Sequence, residues 1–197
     1  MSHVKRPKTK RGRQTFQALL SAAEHQFYVL GYHGATIKDI TSDAGVGLGT
    51  FYIYFNDKKS CYQYLLLQYS HYIRSQIAQR IEHAKDRKEA ERLGLLEFLE
   101  IVRDNASIYH IIWESLYIDK NLFIEYYTTF AQYYKRAIEA NVNVKGGYKD
   151  FDSETMAYTL MGIANFIGLR YTMFDKSTDL EKIASQVIEM LDKGIFN

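Results

Sequence analysis

Residues 36–59 read TIKDITSDAGVGLGTFYIYFNDKK, and this stretch decides the fold. Thr36 precedes apolar residues at helical spacing, so it predicts a capped helix that ends near Ala44. Gly45 follows, where a tight turn needs a residue that accepts a left-handed backbone. A short helix over about Leu48–Phe55 completes a pattern of two helices joined by a glycine-containing turn.

A nucleotide-binding loop and a β-hairpin are the alternatives for the glycine-rich part. Its glycines have the spacing G-x-G-x-G, whereas a dinucleotide loop needs G-x-G-x-x-G and a P-loop needs Gly-Lys before Ser or Thr. The run Thr50–Phe55 has high β-propensity, but propensity is a weak guide and no partner strand is visible nearby. Because a capped helix precedes the glycines, the helix-turn-helix is favoured.

The whole chain is predicted to be all-α. Pro7 is its only proline, and long segments carry apolar residues at intervals of three or four. A helix over about Thr15–Leu30 precedes the turn, and a long one from Asp57 to about Ile81, with Asn56 as its N-cap, follows it. Further helices are predicted over about residues 89–103, 107–117, 122–140, 153–173 and 179–193.

The charge is unevenly distributed along the chain. Residues 1–60 carry nine Lys/Arg and four Asp/Glu, a net of +5, although the net charge of the whole chain is +2. A basic front predicts contact with a polyanion, and the alternative is a basic tail with no partner. Residues 1–13 are predicted to be a flexible basic arm.

Other features disfavour several classes of function. Cys61 is the only cysteine, so no intrachain disulfide forms, which fits the cytoplasm. The apolar stretch Thr155–Leu169 is shorter than the roughly 20 residues of a membrane span. The six histidines lack metal-ligand spacing, so no metal site or other cofactor is predicted. No nucleophile and base are legible, and the chain is not predicted to be an enzyme.

Residues 14–60 resemble the N-terminal DNA-binding domain of TetR/AcrR-family transcriptional regulators. The stretches that carry the resemblance are Ala22-Ala23 with Phe27, Gly31–Thr36, Asp39-Ile40, Ala44–Val46, and Gly49–Phe55 with Lys58. They cover about a quarter of the chain. The resemblance implies a three-helix domain that binds an operator, followed over residues 61–197 by a helical domain for ligand binding and dimerisation.

The resemblance also implies which residues meet DNA. Thr36 and Tyr54 are expected to bond phosphates, and Thr50 and Tyr52 to touch phosphates or bases. Core packing is the alternative for the two tyrosines. Lys58 adds positive charge in the first turn of the fourth helix. The full predicted DNA-binding set is Thr36, Gly47, Leu48, Gly49, Thr50, Tyr52, Ile53, Tyr54 and Lys58.

Three positions depart from the family pattern. Gly47 stands where many members have Ser, Leu48 where a polar residue is common, and Thr41 where Ala is usual. The third helix therefore has few polar side chains for base edges, and contacts with thymine methyl groups are expected. The two glycines at its start are expected to permit close approach of DNA. The basic arm either follows the DNA backbone or enters a minor groove, or it adds only general attraction.

Residues 61–197 are rich in aromatic side chains, with 13 of the 17 tyrosines and the only tryptophan. They either pack the helices or line a pocket for a small apolar or aromatic effector with a few polar handles. Asn165 is the sharpest of these, because an amide in an apolar helix needs a partner. The predicted pocket residues are Tyr69, Tyr72, Tyr109, His110, Trp113, Tyr117, Tyr126, Tyr127, Phe130, Met161, Asn165 and Phe166.

The last two predicted helices resemble the family's dimer-forming pair, and Gly162 and Gly168 would allow close contact between helices. The expected protein is a homodimeric repressor of a near-palindromic operator that an effector releases, with an activator as the alternative. A helical enzyme or lipid carrier is the alternative from another class. It leaves the helix-turn-helix and the basic front unexplained.

Overall fold

The computed structural model describes residues 4–142, 147–174 and 179–195. The regular structure of the described residues is helical, and their β-structure is limited to an isolated β-bridge between Val142 and Tyr148. The all-α prediction is therefore confirmed. The helices are α1 Lys10–Gly34, α2 Ile37–Asp43, α3 Leu48–Tyr54, α4 Lys58–Ile81, α5 Arg87–Asp104, α6 Ala106–Ile118, α7 Lys120–Glu139, α8 Ser153–Leu169, a π-helical turn Arg170–Phe174, and α9 Leu180–Ile195.

The helices form two compact units that do not follow chain order. The first unit consists of Met1–Tyr69 and Ser107–Tyr126, and the second of Ser70–Ala106 and Tyr127–Asn197. α6 from Ser107 onward therefore packs with the N-terminal helices, and α4 and α7 each contribute to both units. The sequence pattern placed the whole of residues 61–197 in one domain, and that domain boundary stays a prediction.

Aromatic side chains form the core of the first unit. Phe16 of α1 stacks on Phe55, with ring centres 5.4 Å apart, and meets Tyr54 and Tyr64 edge-on at 5.2 and 5.3 Å. Burial of these rings, together with fully buried Phe51, removes a large apolar area from water and holds α1 against α3 and α4.

The turn between α2 and α3 has the predicted geometry. Thr36 caps α2 in a reciprocal capping box with Asp39. Gly45 has a φ of 66°, and the following Val46 N–H donates to the Thr41 carbonyl oxygen at 2.9 Å, which closes the turn. Thr41 is 3% exposed, so the small side chain lies buried as its place in the pattern indicated.

Two predicted helix starts need correction. α1 begins at Lys10 rather than near Thr15, because the Thr9 hydroxyl accepts the Gly12 N–H and caps the helix. α4 begins at Lys58, because the Asp57 carboxylate accepts the Ser60 N–H at 2.7 Å, so Asp57 takes the capping role predicted for Asn56. The last four residues of the predicted flexible arm are thus helical.

The second unit has its core where α5, α8 and α9 pack. Leu96 and Leu99 of α5 lie against Leu180, Ala184 and Val187 of α9. The regular helix α8 ends at Leu169, four residues before the predicted end at Met173, and continues as the π-helical turn. The loop predicted at residues 143–147 lies outside the described residues except for Gly147, and so does Thr178, the predicted cap of α9.

Candidate functional site

The third helix of the first unit presents an apolar surface. Leu48, Tyr52 and Ile53 are half exposed or more, at 51%, 50% and 57%. Large apolar side chains seldom face water in a cluster unless they meet a partner, and Thr50 beside them is partly exposed. The structure therefore brings four of the predicted DNA-contacting residues onto one short helix.

Two glycines at the start of α3 leave open space around the backbone. Gly47 is the N-cap with no side-chain cap bond, and Gly49 lies in the first turn. A Cβ added at either position would meet no atom within 4 Å. Packing among the described residues therefore does not require glycine at either position, and close approach of DNA to this backbone stays a prediction.

The Thr36 hydroxyl is engaged by its own helix. It donates to the Asp39 carboxylate at 2.6 Å and accepts the Asp39 N–H at 3.1 Å. These bonds with Thr36 hold the pKa of Asp39 below its usual range. The side chain is exposed, so a phosphate could reach it, but only by competing with the capping box.

Tyr54 has a different position from the predicted one. It is only 9% exposed, its ring contacts Phe16, and its hydroxyl donates to the Gly12 carbonyl oxygen at 3.2 Å. The tyrosine is the third residue after the fully buried Phe51, and residues three apart share a helix face, so helical geometry turns it toward the core. Core packing, the alternative interpretation of this residue, describes its position, and the phosphate contact stays a prediction.

Lys58 also has protein partners instead of an open position. Its ammonium group donates to the carbonyl oxygens of Tyr32 and Ala35, and lies 4.4 Å from the centre of the Tyr32 ring. Partial burial lowers its pKa, and the Glu114 carboxylate opposes that shift. The lysine therefore caps the last carbonyl groups of α1, and its phosphate contact stays a prediction. Lys59 beside it pairs with Asp119 at 2.5 Å.

The N-terminal segment is attached to α3, which the sequence pattern missed. The Lys5 N–H donates to the Tyr54 carbonyl oxygen at 3.0 Å, and Gly12 accepts the Tyr54 hydroxyl as described. Thr9, a favoured N-cap residue, was the available sequence signal. The attachment holds a set of exposed cations near the end of α3: Lys5, Arg6, Lys8, Lys10, Arg11 and Arg13.

Half of the predicted effector residues lie in the first unit. Tyr69, Tyr109 and Tyr126 are buried, and Trp113 is half-buried. Among the described residues, the buried Trp113 Nε1 has no hydrogen-bond partner. Burial, followed by the charge of the Glu24 carboxylate and a hydrogen bond to it, raises the pKa of the Tyr69 hydroxyl. Buried polar atoms without partners are costly, and a bound molecule is one way to satisfy them. His110 and Tyr117 do not fit a closed pocket, because both are exposed, Tyr117 to 82%.

The other half lies in the second unit. The Asn165 amide donates to the Met161 carbonyl oxygen at 2.7 Å and accepts the Tyr127 hydroxyl at 3.2 Å, so this amide has protein partners. Burial raises the pKa of Tyr127 to about 12. Met161 is buried and Phe130 half-buried. The remaining two do not line an interior of this unit, because they are exposed: Tyr72 and Phe166.

The described residues offer few other reactive groups. No group of three or more potential metal ligands occurs within the described ranges. None of the helices, as far as they are described, is long and apolar enough to cross a membrane. Cys61 is buried, and burial raises the pKa of its thiol, which disfavours the reactive thiolate.

The first unit combines a capped helix, a left-handed glycine turn, and an exposed short helix beside a basic segment. This arrangement defines a helix-turn-helix DNA-binding transcription regulator. Residues 19–65 match the family described as bacterial regulatory proteins, tetR family. The resemblance of residues 14–60 to TetR/AcrR-family transcriptional regulators is thereby confirmed over the matched residues.

One relative and two solved structures match this chain over nearly its full length. The HTH-type transcriptional regulator YdgC of Bacillus subtilis is 23% identical over 193 residues, which are 94% of each chain. The fatty acid degradation regulator FadR from Bacillus halodurans superposes with a TM-score of 0.76 at 19% identity, over 94% of this chain and 96% of that one. FadR from Bacillus subtilis, solved in complex with stearoyl-CoA, has a TM-score of 0.77 at 18% identity, over 91% and 98%. At these identities the likeness shows the fold.

Proposed function

We propose that the protein is a homodimeric repressor that binds a near-palindromic operator through α3 and is released by an apolar effector. The observation that carries the proposal is the exposed surface of Leu48, Thr50, Tyr52 and Ile53 on the second helix of the helix-turn-helix. No catalytic step is part of this function. Its place of action is the cytoplasm, with the DNA.

The composition of α3 indicates how an operator is read. Leu48 and Ile53 are suited to contacts with thymine methyl groups, and the hydroxyls of Thr50 and Tyr52 can bond base edges or phosphates. The six exposed cations of the N-terminal segment supply sequence-independent attraction to phosphates. Thr36 keeps a phosphate role only if its capping box opens, and Tyr54 and Lys58 act by holding the three-helix segment in shape.

Selection of bound DNA from a random pool tests the operator proposal. The expected consensus has two inverted half-sites that contain A·T pairs, because α3 offers methyl-contacting side chains. Thr50→Ala should relax the preference at particular base pairs, whereas Lys8→Ala should weaken binding to all sequences and flatten its salt dependence. Retention on DNA that does not change with salt would favour the lipid-carrier alternative.

The effector site is proposed to involve the first unit's Tyr69 and Trp113. The buried Trp113 Nε1 on α6 lacks a partner, and Tyr69 on α4 is one of the buried tyrosines of the same unit. Because FadR of Bacillus subtilis was solved with stearoyl-CoA, a long acyl chain is the apolar class that we propose. Addition of stearoyl-CoA should release the operator, and Trp113→Phe should raise the concentration required. An operator affinity that no acyl-CoA changes would contradict this effector class.

Dimerisation is proposed to use an apolar stripe on α8. Tyr158 and Phe166 are 44% and 67% exposed, and Gly162 lies between them on the same side, with open space where a Cβ would be. On α9 Met190 is 82% exposed. Phe166→Glu should give monomers in analytical ultracentrifugation and lose cooperative operator binding. Tyr117→Glu, at an exposed site in the other unit, is the matched control and should remain dimeric.

Release is proposed to follow a shift in population. An effector that binds one arrangement of the dimer more tightly favours it, and operator affinity falls if the two α3 helices no longer match the half-site spacing. In vitro transcription from the selected operator, with and without effector, distinguishes a repressor from an activator.

A further inference from the structure

Two arginines of the second unit converge on one exposed tyrosine. The Cζ atom of Arg74, on α4, lies 3.9 Å from the centre of the Tyr133 ring. The Cζ atom of Arg136, on α7, lies 5.9 Å from the same centre. Tyr133 is itself 53% exposed. Two like charges beside one ring repel each other, and an anion that binds both of them offsets this repulsion.

Among the described residues, neither guanidinium group has a carboxylate within ion-pair distance. Two cations close to them in sequence do have carboxylate partners. Arg80, also on α4, pairs with Glu97 at 3.9 Å. Lys135, adjacent to Arg136, pairs with Glu139 and Glu154 at 3.9 and 3.7 Å. The positive charge of Arg74 and Arg136 is therefore not neutralised by the described chain.

Arg74 is also held in place. Its Nε donates to the Ser70 carbonyl oxygen at 2.8 Å, and its guanidinium plane rests on the Tyr133 ring. Both contacts reduce the rotamer freedom that binding would otherwise remove. The two terminal nitrogens of the guanidinium remain for a ligand, in the fork geometry that matches two oxygens of a phosphate.

We propose that Arg74, Tyr133 and Arg136 form a binding site for a phosphate-bearing group of the class that the nucleotide part of coenzyme A carries. The choice of an acyl-CoA as the probe rests on the proposed function, whereas the phosphate site itself rests on the arginine geometry within the second unit. The two guanidinium groups bind phosphate oxygens, and the tyrosine ring keeps both arginines oriented. A free fatty acid has no phosphate and gains little from this site.

Isothermal titration calorimetry of the full chain with stearoyl-CoA and with stearate tests the proposal. Arg74→Met and Arg136→Met keep much of the apolar stem and remove the charge. Each should weaken stearoyl-CoA binding about tenfold or more, since a bond to a charged group is worth that much. Stearate binding should stay within about twofold. Arg80→Met, the matched control on α4, should leave both affinities unchanged.

A third titrant, adenosine 3′,5′-bisphosphate, separates the site from the effector proposal. Binding of this nucleotide that is lost in Arg74→Met but kept in Arg80→Met supports the phosphate site, even if stearoyl-CoA and stearate both fail to bind. In that case the acyl effector of the proposed function is wrong and the site stands. The proposed site would be overturned if the wild-type and Arg74→Met proteins had the same affinity for stearoyl-CoA and the same affinity for the nucleotide. Failure of both proteins to bind either ligand would overturn it as well.

Discussion

The main-chain N–H of Tyr32 donates a 2.7 Å hydrogen bond to the Glu114 carboxylate of α6. The bond forms where α1 leaves helical geometry, because Gly31 just before it has a φ of 68°. Lys58 of α4 takes the Tyr32 carbonyl oxygen on the other side. The end of α1 is thus joined to α4 and α6 within the first unit, which gives the three-helix segment a direct bond to a helix of the predicted effector domain.

Gly31→Ala should destabilise the protein by about 1–2 kcal/mol, because a side chain disfavours a positive φ. The added Cβ would also lie 3.0 Å from the Glu114 Oε1 atom, which crowds the Tyr32 bond. Gly34→Ala is the matched control, since a Cβ there meets only Leu30 at 3.5 Å and alanine favours helix. Urea unfolding measures both changes. Equal stability of the two variants would show that the kink at Gly31 is not required.

Gly49→Ala should raise stability by up to about 1 kcal/mol and yet lower affinity for the selected operator. The stability gain is expected because glycine disfavours helix and no atom lies within 4 Å of the added Cβ. The affinity loss is expected only if DNA approaches the α3 backbone closely. Thermal unfolding and a gel-shift titration test the two parts separately. Unchanged operator affinity would exclude close approach at this residue.

Tyr54→Phe should cost about 1 kcal/mol of stability, because it removes the hydroxyl bond to the Gly12 carbonyl oxygen. The N-terminal cations would then be held less firmly, so binding should weaken for all DNA sequences alike. Tyr52→Phe is the control on the same helix. Its ring is 50% exposed, so stability should be unaffected and only base preference should change. If Tyr52→Phe proved the less stable variant, this division of roles would be wrong.

Glu91→Gln should destabilise the second unit strongly, by about 3–5 kcal/mol. The side chains of Glu91 and Arg87 are only 8% and 13% exposed and form an ion pair at 2.8 Å. Tyr134 and Tyr148 donate their hydroxyls to the same carboxylate. Removal of its charge leaves Arg87 buried without an ionic partner. Glu100→Gln on α5 is the control for a general effect of the substitution, and its urea midpoint should match that of the wild type.

Stability should fall as the pH rises above about 10, the ordinary pKa of tyrosine. Burial, followed by the Glu91 charge, raises the pKa of Tyr134 and of Tyr148, so the folded chain keeps protons that the unfolded chain releases. This contribution is complete below pH 10 and declines above it. Urea unfolding monitored through Trp113 fluorescence should show a smaller decline for Tyr134→Phe. The exposed-site variant Tyr117→Phe should follow the wild type, and a wild-type slope in Tyr134→Phe would refute this origin.

Much of the fold was predictable because its signals are local. Caps, glycine turns and apolar spacing depend on residues three or four apart, so α2, α3 and the Gly45 turn were placed to within a residue or two. The residues of α3 that face outward were expected from the family resemblance. Errors arose where two residues compete for one local role, as Asn56 and Asp57 do at the start of α4.

The sequence by itself determined an all-helical chain, its helix-turn-helix and the side chains that α3 carries, since these depend on short-range geometry. Only the tertiary structure decided that Tyr54 is buried against α1, that Lys58 caps α1, and that Arg74 of α4 lies against the Tyr133 ring of α7. Such pairings join residues tens of positions apart. These contacts form only when the packed helices bring distant side chains together. The spacing of apolar residues along the sequence does not specify such contacts.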